Sequence, residues 1–202
     1  MRAGQSWIVC GVALLLNSLS FAFAATPAQA PKSLTQRREV KLAIDDFILT
    51  DQSGKTFQFN HLKGKVVVVG FAYTTCPDVC PLLTATLRQV QSNLTATERK
   101  GVQMLTVTTD PEIDSPQVLA NYAKRYGAEL DNWSFLTGDE KKLGTVWKNF
   151  GVGVKRKGRG LIDHTPLTGI VDRGGFLRVA YIGPTPDVRV VLGDLRSFLV
   201  DR

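Results

Sequence analysis

The period of apolar and polar positions changes several times along the chain, and each change marks an element. From residue 43 to 65, AIDDFILTDQSGKTFQFNHLKGK alternates apolar with polar on both sides of Ser53-Gly54, which predicts a β-hairpin. KVVVVGFAY (65–73) is a continuous β-branched and aromatic run, too short for an ordinary helix, and reads as a buried central strand. Leu82, Leu83, Leu87, Val90 and Leu94 follow helical spacing, which predicts one helix over 81–100 stopped by Gly101. VQMLTVTTD (102–110) is a second buried strand. DSPQVLANYAKRYG then predicts a helix with Asp114 or Ser115 as N-cap, Pro116 in its first turn and Gly127 past its end. WSFLTGD gives a short strand running into a helix over 139–150. Two more strands, LTGIVD (167–172) and FLRVAYIG (176–183), flank Arg173-Gly174-Gly175, and a last helix covers 187–200. Strands alternating with helices, then a hairpin and a terminal helix, predict an α/β fold. It has a central mixed sheet flanked by helices, with an N-terminal β-hairpin.

Upstream of these elements the composition shifts. Arg2 is a positive n-region, WIVCGVALLL (7–16) an apolar h-region, and AFA (22–24) a small-x-small cleavage site, so residues 1–24 read as a signal peptide. Residues 7–25 are also long enough to span a bilayer, so an uncleaved membrane anchor is the competing reading. Either way the domain is exported, to the bacterial periplasm and in the second case tethered to the inner membrane. ATPAQAPKSLTQRREV is Pro/Ala-rich and then charged, so residues 25–41 read as a tether, with the folded domain over 42–202. The 202 residues are 44% apolar, enough for one core. The net charge of +7 suits an acidic partner or an anionic membrane surface. No stripe of basic and aromatic residues marks a nucleic-acid-binding element.

The order of elements is thioredoxin-like, and it places FAYTTCPDVCP (71–81) at the end of a buried strand and the start of a helix. Cys10 falls in the h-region, leaving Cys76 and Cys80 as the cysteines of the exported domain. Three roles are open to them. A disulfide staple closing so short a loop would remove little unfolded-state entropy. A redox pair is the second, although the common redox motif has two intervening residues and this one has three. The third is a metal clamp. A helix N-terminus lowers thiol pKa, a helical turn would put positions i and i+4 on one face, and soft sulfur favours Cu(I) or Zn(II). Pro77 suits a first helical turn in that reading.

Two thiolates rarely complete a metal site. Met104 lies in a core strand and reads as packing, and His61 in NHLKGK as a solvated loop residue. His164, in DHTP before the strand LTGIVD, reads alone as a cap or turn residue. In a thioredoxin-like fold, however, its loop lies beside the cysteine loop. Cys76, Cys80 and His164 then offer two sulfurs and a nitrogen, a set suited to copper. Asp78 and Asp163 are candidates for hydrogen bonds behind the ligands, or else solvated turn carboxylates. Pro166 stands where thioredoxin-like proteins place a cis-proline. KRKGRG (155–160) reads as a solvated turn, with a docking handle for an acidic partner as its functional alternative.

With FAYTTCPDVCP, VTTDPEIDSPQVLANYAKRYG, FLTG and DHTPLTGIVDRGGFLRVAY in order, the chain resembles the SCO/SenC family of copper-delivery proteins for cytochrome c oxidase assembly. The resemblance covers about 44–200. It implies a copper ion held by Cys76, Cys80 and His164 and passed to the dinuclear copper site of the oxidase's copper-containing subunit. That is a chaperone cycle rather than turnover. It also implies an N-terminal membrane tether, and suggests another periplasmic copper chaperone or a thiol reductant as a further partner. The rival from a different class is a thiol-disulfide oxidoreductase that uses Cys76 and Cys80 as its redox pair and keeps oxidase-subunit cysteines reduced. A copper or redox sensor is a third.

Overall fold

The computed structural model describes residues 35–200, so the signal peptide or anchor and most of the tether lie outside the described residues. The strands are β1 (Gln36–Ala43), β2 (Ile48–Asp51), β3 (Thr56–Gln58), β4 (Val66–Ala72), β5 (Val102–Thr108), β6 (Trp133–Thr137), β7 (Val154–Lys157), β8 (Leu161–His164), β9 (Leu167–Val171) and β10 (Phe176–Ile182). The helices are α1 (Val79–Ser92), α2 (Ala96–Gly101), α3 (Pro116–Arg125), α4 (Glu140–Asn149) and α5 (Val188–Val200). Eight strands form one mixed sheet in the order β1-β10-β9-β4-β5-β6-β2-β3, with β4, β5 and β6 mutually parallel. β7 and β8 make a separate antiparallel hairpin. The fold is thioredoxin-like, as the order of elements predicts.

Period-2 alternation along β4 divides the core. Val66 and Val68 face a layer containing Leu83, Leu87 and Val90 of α1, Leu119 and Tyr122 of α3, and Val191 and Leu195 of α5. Val67, Val69 and Phe71 face Leu143, Val146 and Trp147 of α4 together with Phe47 and Phe59 from the β2/β3 region. Every residue of β4 and β5 is buried, which is why both read as unbroken apolar runs. Gly70 lets α1 lie close on β4, since a Cβ there would stand 3.0 Å from Leu87 Cδ1. That close approach delivers the start of α1 to the carboxyl end of β4.

Three expectations change. Residues 36–41, read as tether, belong to β1, an edge strand whose residues are exposed except Val40 and which is held by backbone pairing to β10 rather than by an apolar face. The single helix expected over 81–100 is two helices. Thr95 caps α2 in a capping box with Glu98, whose backbone N–H lies 3.2 Å from Thr95 Oγ1 while Glu98 Oε2 accepts from Thr95 N–H at 2.8 Å. KRKGRG is not merely a turn: it supplies three of the four residues of β7 and a 3-10 turn, Gly158–Gly160.

Candidate metal centre

β4 ends at Ala72, and the chain turns at once, with Cys76 N–H donating to Tyr73 O at 3.3 Å. α1 begins only at Val79. Pro77 therefore precedes the helix instead of occupying its first turn, Pro81 sits inside it, and Cys76 and Cys80 are not joined by a helical turn. The cysteines still meet, because the loop folds back over the helix N-terminus. Cys80, the backbone N–H groups of Asp78 and Cys80, and the Tyr73 side chain all act as donors that favour the thiolate form of Cys76. These donors, led by Cys80, draw the Cys76 pKa down to about 5. Cys80 is the second residue of α1 and 1% exposed; the Cys76 thiolate beside it and its burial push its own pKa up.

His164 ends β8 and comes to this pair from the other side. Its Nε2 lies 3.8 Å from Cys80 Sγ, and its Nδ1 lies 3.1 Å from the carbonyl of Thr165. A bond donated by Nδ1–H to that carbonyl leaves the Nε2 lone pair facing the cysteines. Burial holds the His164 pKa below its ordinary value, so the ring is neutral near pH 7. Tyr73 packs edge-on against it with ring centroids 6.0 Å apart, and the Tyr73 hydroxyl accepts from Ile162 N–H at 3.3 Å. Cys80, Tyr73, Ala72 and Ile162 form a small apolar cluster of their own around the sulfurs.

The donor set suits a soft ion. A trigonal site with bonds of about 2.3 Å to sulfur and about 2.0 Å to nitrogen separates those ligands by about 3.7 Å, close to the gap between Cys80 and His164. Among the described residues no group of three His, Cys, Asp or Glu side chains is already gathered around one metal position. Cys76 and His164 line an open cleft with Pro77, Leu161 and Pro166, while Cys80 is 1% exposed.

Other candidates sort clearly. Met104 is fully buried in β5. His61 is exposed in a 3-10 turn before β4, at the end of that strand away from the cysteines. Asp163 faces outward and pairs with Lys157 at 2.8 Å, and Asp78 is exposed, contributing its backbone N–H and not its carboxylate. Pro166 lines the cleft, but the described residues contain no cis peptide bond, so the expected cis-proline is absent. The residue that sequence reading left among N-cap candidates is Asp114. Ser115 caps α3 instead, and the Asp114 carboxylate turns inward to accept from Thr74 N–H at 3.2 Å, Thr74 Oγ1 at 2.5 Å and Thr108 Oγ1 at 2.5 Å. It pins the cysteine loop to the end of β5.

The thiol chemistry yields a direct expectation. Iodoacetamide should modify Cys76 well before Cys80 in the reduced, metal-free protein, with a rate that rises through a midpoint near pH 5. Peptide mass spectrometry against pH reads both; equal labelling of the two cysteines would contradict the arrangement.

The sequence profile of the SCO1/SenC family matches residues 35–199. The SCO1 protein homolog of Bacillus subtilis is 37% identical over 95 residues, a match covering 47% of this chain and about half (49%) of that protein. BsSco, described with a disulfide switch and as a member of the Sco family of cytochrome c oxidase assembly proteins, superposes with TM-score 0.71 at 27% identity, covering 82% of this chain and 98% of its own. Bradyrhizobium japonicum ScoI with copper bound is similar at TM-score 0.63 and 29% identity, covering 77% and 99%.

Proposed function

Because this chain belongs to the SCO1/SenC family, we propose that it binds copper through Cys76, Cys80 and His164 and delivers it to the dinuclear copper site of cytochrome c oxidase. The observation that carries this reading is the approach of His164 Nε2 to Cys80 Sγ at 3.8 Å, with Nδ1 engaged 3.1 Å from the Thr165 carbonyl. A likeness to a structure with copper bound supports it. In the cycle, the Cys76 thiolate and Cys80 bind Cu(I) and the neutral imidazole completes the set. Cys76 and His164 line the open cleft, so a recipient's ligand enters there and replaces them one at a time, with Cys80 as the last hold. The N-terminal segment supports export to the periplasm, with anchoring in the inner membrane if it stays uncleaved, and a reductant there keeps the cysteines as thiols.

A second reading is favoured by the unequal thiols. The accessible Cys76 thiolate can attack a substrate disulfide, releasing one substrate thiolate and forming a mixed disulfide. Cys80 then attacks Cys76, which yields a Cys76–Cys80 disulfide and frees the second substrate thiol. The likeness to BsSco supports that chemistry as well.

Mixing Cu(I)-loaded protein with the metal-free soluble domain of the oxidase's copper-containing subunit tests the first reading against the second. Copper should move to the recipient, as read by metal analysis after the two proteins are separated, and a diamide-oxidised sample should carry no copper to give. Reduction of a recipient disulfide without any copper transfer would favour the oxidoreductase.

A further inference from the structure

The hairpin that carries His164 shares no hydrogen-bonded ladder with the eight-stranded sheet, so other contacts must fix its position. Its register sets Val154 opposite His164 and Arg156 opposite Ile162. Directly opposed residues, and residues two apart on one strand, share a face. Val154, Arg156, Ile162 and His164 therefore form the inner face, and Lys155, Lys157, Leu161 and Asp163 the outer. Several ties join the inner face to the body, among them the packing of Val154 on the core and of His164 against the Tyr73 ring. Ile162 packs against Ala72, Tyr73 and Cys80, and its N–H reaches the Tyr73 hydroxyl. Another is ionic: Arg156 Nη2 donates to Asp110 Oδ1 at 3.0 Å, and its Nη1 lies 3.2 Å from Glu112.

Asp110 gives that ionic tie its strength. It lies two residues past the end of β5 and is 0% exposed, and its Oδ2 has no partner among the described residues. Arg156 is the one side chain bonded to its carboxylate there. Withdrawing the guanidinium would leave a buried charge uncompensated, so the pair resists opening far more than a surface ion pair does.

We propose that Arg156 is a positioning residue for the metal site: its ion pair with Asp110 clamps the hairpin and so holds His164 within reach of Cys80. The inference rests on the copper reading above. It also accounts for part of the basic segment, where Arg156 is taken up by Asp110 and Glu112, and Lys157 by Asp163.

The test is a Cu(I) competition titration of the reduced full chain, comparing wild type, Arg156→Gln, Arg156→Lys, His164→Ala and the double variant Arg156→Gln/His164→Ala. Arg156→Gln should weaken binding about 10- to 100-fold, the range seen when groups behind a metal ligand are lost. Arg156→Lys, which keeps a charge for Asp110, should recover most of that loss. The double variant should bind no more weakly than His164→Ala alone, because Arg156 acts through the histidine. Asp110→Asn, nearly the same size, opens the same pair from the buried side and should reproduce Arg156→Gln even if one variant folds poorly. Wild-type affinity in Arg156→Gln overturns the proposal, as does a double variant that loses the full Arg156→Gln factor beyond His164→Ala. Unchanged binding by His164→Ala is a separate result, which removes the three-ligand reading itself.

Discussion

Cys80→Ser and Cys76→Ser should each lose tight Cu(I) binding, by more than about 100-fold, the upper range for disturbing a group behind a ligand. A serine hydroxyl is nearly isosteric with the thiol, but it is a hard donor that does not ionise near neutral pH, whereas Cu(I) selects soft thiolate. Cys80 sits in the first turn of α1, packed with Ala72, Tyr73 and Ile162, so its sulfur is fixed and faces His164. Cys76 is the thiol already ionised at neutral pH, held so by the donors around the helix N-terminus. Neither substitution removes enough volume to unfold the domain. A chelator competition assay on the reduced proteins, with circular dichroism as the folding control, reads the effect, and stoichiometric tight Cu(I) in either variant contradicts the proposed clamp.

Asp114→Ala should destabilise the domain by about 2–4 kcal/mol and weaken copper binding with it. The carboxylate accepts three donors, Thr74 N–H and the hydroxyls of Thr74 and Thr108, and it is 0% exposed. Each buried donor left without a partner costs about 1–3 kcal/mol, although a hydroxyl can rotate to recover part of that. Against this stands the cost of burying the carboxylate, which raises the Asp114 pKa. The sign of the pH dependence follows. A carboxyl whose folded pKa lies above its unfolded value contributes most below the unfolded value and loses that contribution as pH rises through the folded one. Urea unfolding of wild type and variant should therefore show a larger difference in acid, below the ordinary carboxylate range, than at pH 8. A difference that is small at both pH values, or that grows toward pH 8, would contradict the assignment. Thr74 lies two residues before Cys76, so the same loss frees the cysteine loop.

Much of this arrangement was legible in the sequence, for physical reasons. β4 and β5 are buried on both faces and so leave unbroken apolar runs, and CPDVC directly after such a run fixes where the sulfurs lie. That His164 comes to lie beside Cys80 was legible only through topology, since nothing in DHTP itself points there. What escaped is held by backbone or by distant polar partners. β1 has no apolar face to announce it. The break before α2 rests on Thr95 and Glu98, a capping box hidden inside a continuing helical pattern. Asp114 reads equally well as a cap until Ser115 is seen to take that place. The hairpin of β7 and β8 escaped because KRKGRG, cations and glycines only, shows no apolar alternation, and its inward arginine is paired with a carboxylate that lies 46 positions earlier.

The central claim is that three side chains, and not the two cysteines alone, hold the metal. The most direct measurement is a Cu(I) competition titration of the fully reduced protein, wild type beside His164→Ala. One tight equivalent in wild type and markedly weaker binding in His164→Ala is the result expected here. Equal binding by the two, or no copper held by wild type, would contradict it and leave Cys76 and Cys80 as a redox pair.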